Sequence, residues 1–209
     1  MIKIKIQNKD YKIPNSFNEL SINQFQMISE IEELKDKLKF IKFLNVLSGI
    51  DEKTIGMLDI VDVKQITNEL NYFEINKEDH DLIEAVEIDK VIYKFDKDLF
   101  NMRFDMFIDL EEFTKEKEDI INNLHLIMAI LYRPIEKHRR FDKFFNKKLI
   151  IKEYNSDDVK ERAELFKEKL MMDKVIGALF FFIKLKTKYI TDMTDYLTEE
   201  TNKLKKEMI

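Results

Sequence analysis

Four adjacent residues, Glu78-Asp79-His80-Asp81, form the densest set of metal-ligating side chains in the chain. Ligands that follow one another directly cannot converge on one ion without a special loop, and no second His or Cys lies at a metal-binding spacing from them. A solvated loop between two folded units explains the same residues. The sequence therefore predicts neither a metal site nor a bound cofactor.

Other residue types that enzymes use occur without the spacing that catalysis needs. The chain has no cysteine, and its three glycines form no Gly-rich phosphate loop. His125 lies on a predicted helix without the Glu of a His-Glu-x-x-His motif, which favours a structural histidine. Carboxylates are abundant, but nothing in the sequence singles out an acid and a base. We predict that the protein is not an enzyme.

A basic segment over 133–152 departs from the net charge of −5 of the whole chain. The candidate site residues in it are Arg133, Lys137, Arg139, Arg140, Lys143, Lys147 and Lys148. Three phenylalanines are interleaved with them, Phe141, Phe144 and Phe145. Cations with aromatic rings can bind nucleic acid through phosphates and bases. Two other interpretations stay open: a connection with buried rings and solvated charges, or a docking surface for an acidic partner or a neighbouring subunit.

The elements around these residues begin with a predicted β-hairpin over the first thirteen residues. Ile2, Ile4 and Ile6 alternate with lysines, which is the period of a strand with one apolar face. Pro14 ends the pairing because it lacks an N–H group. Ser21 is a good N-cap, and apolar residues at helical spacing follow it.

The same pattern begins again 82 residues later, with a predicted hairpin over 86–95 and a helix after it. This shift aligns Tyr11 with Tyr93 and Phe25 with Phe107, and a further slip of two residues aligns Leu44 with Met128. The order of residue classes indicates a duplicated unit. Alignment of any two amphipathic segments could produce part of this agreement by coincidence.

We therefore predict a mainly α (α+β) fold of two related lobes, each a short β-hairpin followed by amphipathic helices. The boundaries are 1–83 for the first lobe and 84–209 for the second, which long C-terminal helices enlarge. Ser156 should cap one of these helices, and 173–189 should form the central helix of the larger lobe. The longest apolar run, Val175–Ile183, is too short to cross a membrane, which takes about 20 residues.

Several segments carry a resemblance to a known group of proteins. They are Leu20-Ser21-Ile22-Asn23-Gln24-Phe25, Phe107-Ile108-Asp109-Leu110-Glu111, Ile127-Met128-Ala129-Ile130-Leu131-Tyr132-Arg133-Pro134 and Ala178-Leu179-Phe180-Phe181-Phe182. Together with the hairpin-then-helix order, they resemble structural-gene products of tailed bacteriophages. The preference for Lys over Arg, 31 against 5, reflects AT-rich codons and is similar to that of crAss-like phages of Bacteroidales.

The resemblance implies a virion structural protein, such as a connector or tail component or a protein packaged in the particle. It would be assembled in the host cytoplasm, bind other virion proteins, form a homo-oligomer or ring, and need no membrane. Open edges of the two hairpins fit such assembly. One alternative is a phage assembly chaperone that binds a virion protein transiently, with 190–204 as its docking helix. A second alternative is nucleic-acid binding through 133–152.

Overall fold

The structure, a computed structural model, describes residues 2–6, 9–14, 16–31, 36–70, 81–136 and 150–207. Helices account for 63% of the described residues and strands for 15%, which confirms the predicted mainly α, α+β class. The strands are β1 (Ile2–Ile6), β2 (Lys9–Ile13), β3 (Ala85–Ile88), β4 (Val91–Phe95) and β5 (Tyr132–Pro134). The helices are α1 (Ile22–Ile31), α2 (Asp36–Ser48), α3 (Glu52–Gly56), α4 (Ile60–Leu70), α5 (Phe104–Phe113), α6 (Lys117–Asn122), α7 (Leu124–Leu131), α8 (Asp157–Lys169) and α9 (Met172–Glu207).

The first unit begins with the predicted hairpin. Strands β1 and β2 are antiparallel, and their register places Ile4 opposite Tyr11 and Ile2 opposite Ile13. Ile13 is buried at the end of β2, where it joins the core. A short 3-10 helix, Phe17–Glu19, then leads the chain into α1.

The start of α1 confirms Ser21 as its cap. The Ser21 Oγ accepts a hydrogen bond from the Gln24 N–H at 3.2 Å, and the Gln24 Oε1 accepts one from the Ser21 N–H at 3.1 Å. This reciprocal arrangement is a capping box, which satisfies backbone donors that the first turn of a helix leaves unbonded. The entry angle of α1 is therefore set by residues that are adjacent in sequence.

The second unit repeats the first in the order and register of its hairpin, 3-10 helix and first α-helix. A shift of 82 residues carries β2 onto β4 and α1 onto α5 with the same bounds, and it carries the first 3-10 helix onto a second, Leu99–Asn101. Val86 lies opposite Tyr93 in the second hairpin, as Ile4 lies opposite Tyr11 in the first. Register fixes which side chains share a face of a hairpin. The two units therefore share local architecture as well as pattern.

The second hairpin differs from the first because a third strand joins it. Strand β5, which the sequence analysis did not predict, pairs with β4 and places Tyr132 opposite Phe95. The turn of this hairpin uses Asp89 and Lys90, whose φ values of 51° and 66° match the left-handed two-residue turn that suits hairpin twist. Lys169 of α8 holds the turn through an ion pair with Asp89 at 2.5 Å.

The helix that follows α1 in the first unit, α2, corresponds to two helices in the second unit, α6 and α7. Ile120, Leu124 and Ile127 lie at the spacing of a single amphipathic helix, but the backbone breaks at Asn123, which separates α6 from α7. Beyond the break the core positions agree. Leu44 and Met128, aligned by the shift and the slip of two, are both fully buried.

The centre of the core is α7 rather than the segment 173–189 that its apolar run suggested. All residues of α7 except His125 and Leu126 are buried. Helix α9 buries one face only, with Val175 and Ala178 inside and Phe180 exposed. The sequence favoured 173–189 because that segment reads as apolar on nearly every side, whereas the apolar residues of 120–131 read as one face of an amphipathic helix.

The cap of α8 lies one residue earlier than predicted. Ser156 makes no side-chain capping bond, whereas the Asn155 Oδ1 accepts a hydrogen bond from the Asp157 N–H at 3.0 Å. Asp157 and Asp158 do lie in the first turn, where negative charge is favourable near the helix dipole. Asn and Ser are comparable caps, so local sequence alone does not choose between neighbours.

The predicted boundary between residues 83 and 84 falls just ahead of the second hairpin. The two units share one continuous core, in which Leu44 and Leu47 belong to the same buried cluster as Met128 and Phe166. Helix α1 packs against α8, α6 and α9, so the first unit docks onto the second through this helix.

Candidate interaction surfaces

The basic segment predicted as a docking or nucleic-acid site lies almost wholly outside the described residues. That holds for Lys137, Arg139, Arg140, Lys143, Lys147 and Lys148. Their role therefore stays a prediction. Arg133 alone among the candidate site residues can be placed.

Arg133 is buried, in contrast to the surface position that a docking patch requires. Its guanidinium Nη2 forms an ion pair with the Asp96 carboxylate, and its Nη1 donates to the Lys152 carbonyl at 3.0 Å. This burial follows from β5, because pairing with β4 draws Arg133 into the protein beside Asp96. We therefore remove Arg133 from the predicted patch and assign it to the fold. Its Nε has no partner within the described part of the chain.

The other described arginines also donate hydrogen bonds to backbone carbonyls. The Arg162 Nε donates to the Ala129 carbonyl at 2.7 Å, and the Arg103 Nη1 donates to the Tyr154 carbonyl at 3.2 Å. Ala129 lies in the last turn of α7, where carbonyls lack helical partners, so Arg162 closes that helix. Burial lowers the pKa of Arg162, yet its usual value is so high that the guanidinium keeps its charge.

A sequence signal could have identified this role. The chain uses Lys for 31 of its 36 cationic residues, so the 5 arginines stand out against that preference. A guanidinium offers several fixed donors and is less strongly hydrated than an ammonium, which suits buried carbonyls. Scarce arginine in a lysine-rich chain therefore indicates positions where directional hydrogen bonds matter.

Two tyrosines add to the buried polar contacts of the second unit. The Tyr132 hydroxyl donates to the Ile83 carbonyl at 2.6 Å, and the Tyr154 hydroxyl donates to the Asp109 carboxylate. Burial raises the pKa of both phenols, with the Asp109 bond adding to the effect at Tyr154. A phenol with a raised pKa stays protonated at neutral pH. Both groups thus act as hydrogen-bond donors that hold segments together.

Of the three histidines, His125 is described, whereas His80 and His138 are not. His125 is half-buried on α7, and desolvation lowers its pKa, with Lys167 adding to the effect and Glu164 opposing it. Among the described residues, no group of three or more His, Cys, Asp or Glu side chains could hold a metal ion. Of the set Glu78-Asp79-His80-Asp81, only Asp81 is described.

The contact of α1 with the second unit centres on Gln26, a buried residue that sequence reasoning missed. The Gln26 Nε2 lies 2.8 Å from the Ile121 carbonyl, 2.7 Å from the Asn122 carbonyl and 3.1 Å from the His125 Nδ1. Both carbonyls belong to the end of α6, which the break at Asn123 frees from helical bonding. The Gln26 amide thus donates hydrogen bonds to carbonyls that the break leaves without helical partners.

A short backbone bridge supports the same contact. The Ile22 N–H donates to the Leu170 carbonyl at 3.2 Å, and the Met172 N–H donates to the Leu20 carbonyl at 2.8 Å. Ile22, at the start of α1, is completely buried beside this bridge. We call Ile22 and Gln26 the outer face of α1. In the folded chain this face is buried and docks on the second unit.

The equivalent face of α5 is exposed. The shift of 82 carries Ile22 onto Phe104 and Gln26 onto Ile108, and we call these two residues the outer face of α5. Phe104 is 76% exposed and Ile108 is 46% exposed, against 0% for Ile22 and 8% for Gln26. Helix α5 packs against α7, and Met106 and Leu110 on its inner face are buried, so α5 is anchored while its outer face meets solvent.

A second exposed apolar surface lies at the junction of α3 and α4. Its members are Met57, Ile60 and Val61. It differs from the outer face of α5 because no counterpart among the described residues of the other unit shows how it could be covered. Isolated exposed apolar side chains are common on proteins, so the surface carries less information.

Comparisons of the chain with known protein families, with curated proteins and with solved structures find no match. In the described part of the chain, no helix combines the length and the apolar character needed to span a membrane.

Proposed function

We propose that the protein is a structural component of a tailed-phage particle and acts by protein–protein assembly. The phage assignment rests on the segments that resemble structural-gene products of tailed phages. The assembly role rests on one observation, the exposure of Phe104 and Ile108 on a face whose counterpart in the first unit is a docking face. An apolar aromatic side chain in water is costly, and coverage by another chain removes that cost.

The geometry of α5 fits a stable surface for assembly. Its inner face is held by the core, and Asp109 is bonded to Tyr154 while Glu111 pairs with Lys186 at 3.0 Å. A helix fixed in this way presents Phe104 without a large loss of conformational freedom on binding. Preorganisation of this kind raises affinity because less ordering is left for the binding step.

Mass spectrometry of purified virions tests the particle role. A structural component should be present in many copies, in a constant ratio to the major capsid protein across preparations. The matched comparison is a lysate of infected cells at the same stage. Detection in the lysate together with consistent absence from particles would overturn the virion role.

The chaperone alternative draws on α9. This helix runs unbroken from Met172 to Glu207, and its last described contact with the core is Lys186, whose Nζ donates to the Thr114 Oγ1 at 2.7 Å. Beyond it, the described side chains Thr187, Lys188 and Thr191 are exposed. A helix that continues past the core can lie in the groove of a partner. Presence in lysates and absence from particles is the result that this alternative predicts.

A further inference from the structure

We infer that the contact between Gln26 and His125 is a pH-sensitive switch, which holds the end of α6 against α1 while the His125 ring is neutral and releases it when the ring gains a proton. This inference goes beyond the proposed function and does not rest on it. Two features of the structure carry it, namely the fixed orientation of the Gln26 amide and the weak anchoring of α6.

The Gln26 amide nitrogen meets three acceptors. Its Nε2 lies 2.8 Å from the Ile121 carbonyl oxygen, 2.7 Å from the Asn122 carbonyl oxygen and 3.1 Å from the His125 Nδ1. An amide nitrogen donates and cannot accept, so the His125 Nδ1 must be the acceptor of this pair. The neutral ring therefore carries its proton on Nε2.

Two carbonyl oxygens at the end of α6 fix the orientation of the Gln26 amide. Rotation of the amide by half a turn would place its Oε1 against the carbonyl oxygens of Ile121 and Asn122. Gln26 is buried, and buried oxygens that face one another without a hydrogen between them are unfavourable. While α6 stays in place, Gln26 therefore presents its amide nitrogen to His125, and not its oxygen.

A proton on the His125 Nδ1 conflicts with this arrangement. The protonated ring donates from both nitrogens, so its Nδ1–H would point at the N–H of the Gln26 amide. The conflict ends when the carbonyls of Ile121 and Asn122 move away, because the amide can then turn and accept from the ring through its Oε1. Each charge state of the ring thus has its own satisfied arrangement, which is how protonation of a histidine becomes a structural change.

Helix α6 is the element that can move. It has six residues, and none of its described side chains is buried. The helices on either side are anchored, because Ile22 on α1 and Leu124 and Ile127 on α7 lie in the core. Asn122 is exposed, so its carbonyl can turn toward water without crossing the core. A segment with few buried contacts opens at a lower free energy than the elements that it links.

The surroundings of the ring set the direction of the pH dependence. Burial lowers the pKa of His125, Lys167 of α8 adds to the effect, and Glu164 of α8 opposes it. An open contact admits water to the ring, which brings its pKa back toward the ordinary value of about 6.5. The closed contact is therefore fully favoured above about pH 6.5 and is weakened as pH falls from there through the lower pKa of the closed state.

Other charged groups lie on the helices that meet at this contact. They are Glu30 on α1, Glu118 and Asp119 on α6, and Glu168 on α8, which accepts from the Asn23 amide at 2.9 Å. Among side-chain types, histidine is the one that ordinarily changes charge between about pH 5 and pH 8. A titration within that range therefore acts on the ring and leaves the carboxylates and lysines as they are.

The test is amide hydrogen exchange, followed by NMR on the full chain at about pH 7.5 and at about pH 5. The reporter is the Asn123 N–H, which donates to the Asp119 carbonyl at 2.8 Å at the end of α6. The reference is the Asp96 N–H, which donates to the Leu131 carbonyl at 3.0 Å in the core of the second unit. Protection factors, which divide the intrinsic exchange rate by the observed rate, remove the effect of pH on the exchange reaction itself.

Two variants accompany the wild type. In His125→Asn, the new Oδ1 takes the place of the Nδ1 and accepts from Gln26 at every pH, and the variant also separates His125 from the other two histidines of the chain. In Gln26→Met, a side chain of similar length fills the site without a donor. Circular dichroism confirms that each variant retains its helical content, and the comparison of the wild type with His125→Asn is decisive without Gln26→Met.

In the wild type, the Asn123 N–H should be less protected than the Asp96 N–H at both pH values, because α6 opens without unfolding of the core. Its protection should fall by at least about threefold at the lower pH, the factor that corresponds to half a pKa unit between the closed and open contact. The protection of Asn123 should stay constant with pH in His125→Asn. In Gln26→Met it should already be reduced at neutral pH and should depend less on pH.

Three results would overturn the inference. The first is equal protection of Asn123 and Asp96 in the wild type, which would mean that α6 opens only when the whole chain unfolds. The second is a loss of protection with pH in His125→Asn as large as that in the wild type, which would assign the effect to another group. The third is protection of Asn123 in the wild type that does not change over this pH range.

Discussion

Tyr11 and Tyr93 lie 82 residues apart and occupy the same register position in two hairpins, opposite Ile4 and Val86 respectively. Their surroundings differ. Tyr93 is buried, and its ring meets Phe166 of α8 edge to face at a centroid distance of 5.0 Å. Tyr11 is half-buried against the core. The two units therefore share local architecture while each packs against different elements.

The outer faces of α1 and α5 also differ in burial, and this difference leads to a stability prediction with an internal control. Phe95→Ala should lower the free energy of unfolding by about 3–5 kcal/mol, because the Phe95 ring is completely buried and its removal leaves a cavity. Phe104→Ala removes the same side chain from an exposed site and should change the free energy by only about 0.5 kcal/mol. Urea denaturation of both variants checks the pair.

Equal losses at Phe95 and Phe104 would contradict the assignment of α5 as half exposed. Phe107 and Leu110 lie at helical spacing on α5, and Phe107 is half-buried. The loss for Phe107→Ala should therefore lie between those for Phe104→Ala and Phe95→Ala. Leu110 is buried.

The parts of the fold that the sequence predicted are those fixed by neighbouring residues. The hairpins follow from the alternation of apolar and polar residues, and the start of α1 follows from the Ser21–Gln24 capping box. The repeat was visible because both units preserve the order of residue classes. In each case the relevant partners lie a few residues apart in the chain.

The parts that the sequence did not predict depend on distant partners. Ile22 and Phe104 have the same local pattern, yet only Ile22 is covered, because the bridge to Leu170 exists in one unit and not in the other. From the sequence alone, Arg133 is the first cation of a basic segment. In the structure, the pairing of β5 with β4 places Arg133 beside Asp96. Local periodicity identifies an apolar face but not the element that covers it.

The ion pair between Arg133 and Asp96 leads to a second stability prediction. Asp96→Ala should destabilise the protein by about 3 kcal/mol, because it leaves a largely buried guanidinium without its counter-ion. The matched control is Asp158→Ala. Asp158 pairs with Lys152 at 2.6 Å, but half of the Lys152 side chain is exposed, so little stability should be lost. Thermal unfolding compares the two variants, and a larger loss for Asp158→Ala would contradict the burial of the first pair.

The predicted nucleic-acid role of 133–152 can be separated from its docking role. Reversal of charge at Arg139, Arg140 and Lys143 should reduce DNA binding strongly and weaken its dependence on salt if those residues contact phosphates. Gel-shift titrations at several salt concentrations, with single- and double-stranded DNA, measure this. Absence of salt-sensitive binding by the wild-type chain would contradict the nucleic-acid role. Loss of partner association without an effect on DNA would favour docking.

The contact between Gln26 and His125 predicts a dependence of stability on pH. Desolvation lowers the pKa of His125 in the folded protein, so the unfolded chain binds a proton at a higher pH than the folded chain does. Stability from this site is therefore complete above the unfolded pKa, about 6.5, and is lost as pH falls from there through the folded pKa. The hydrogen bond changes stability with pH in the same direction, because the His125 Nδ1 accepts from the Gln26 amide only when this nitrogen is unprotonated.

The measurement is the free energy of unfolding by urea at mildly acidic and at neutral pH, for the wild type and for His125→Gln. The variant removes the titrating ring but leaves every carboxylate in place, so subtraction of its pH profile isolates the histidine. The wild type should lose more stability than the variant below about pH 6.5. Gln26→Leu should reduce this difference without abolishing it, because desolvation of His125 remains when the amide is gone. Parallel profiles for wild type and His125→Gln would show that His125 titrates alike in the folded and unfolded chains, contrary to its half-buried position between the two units.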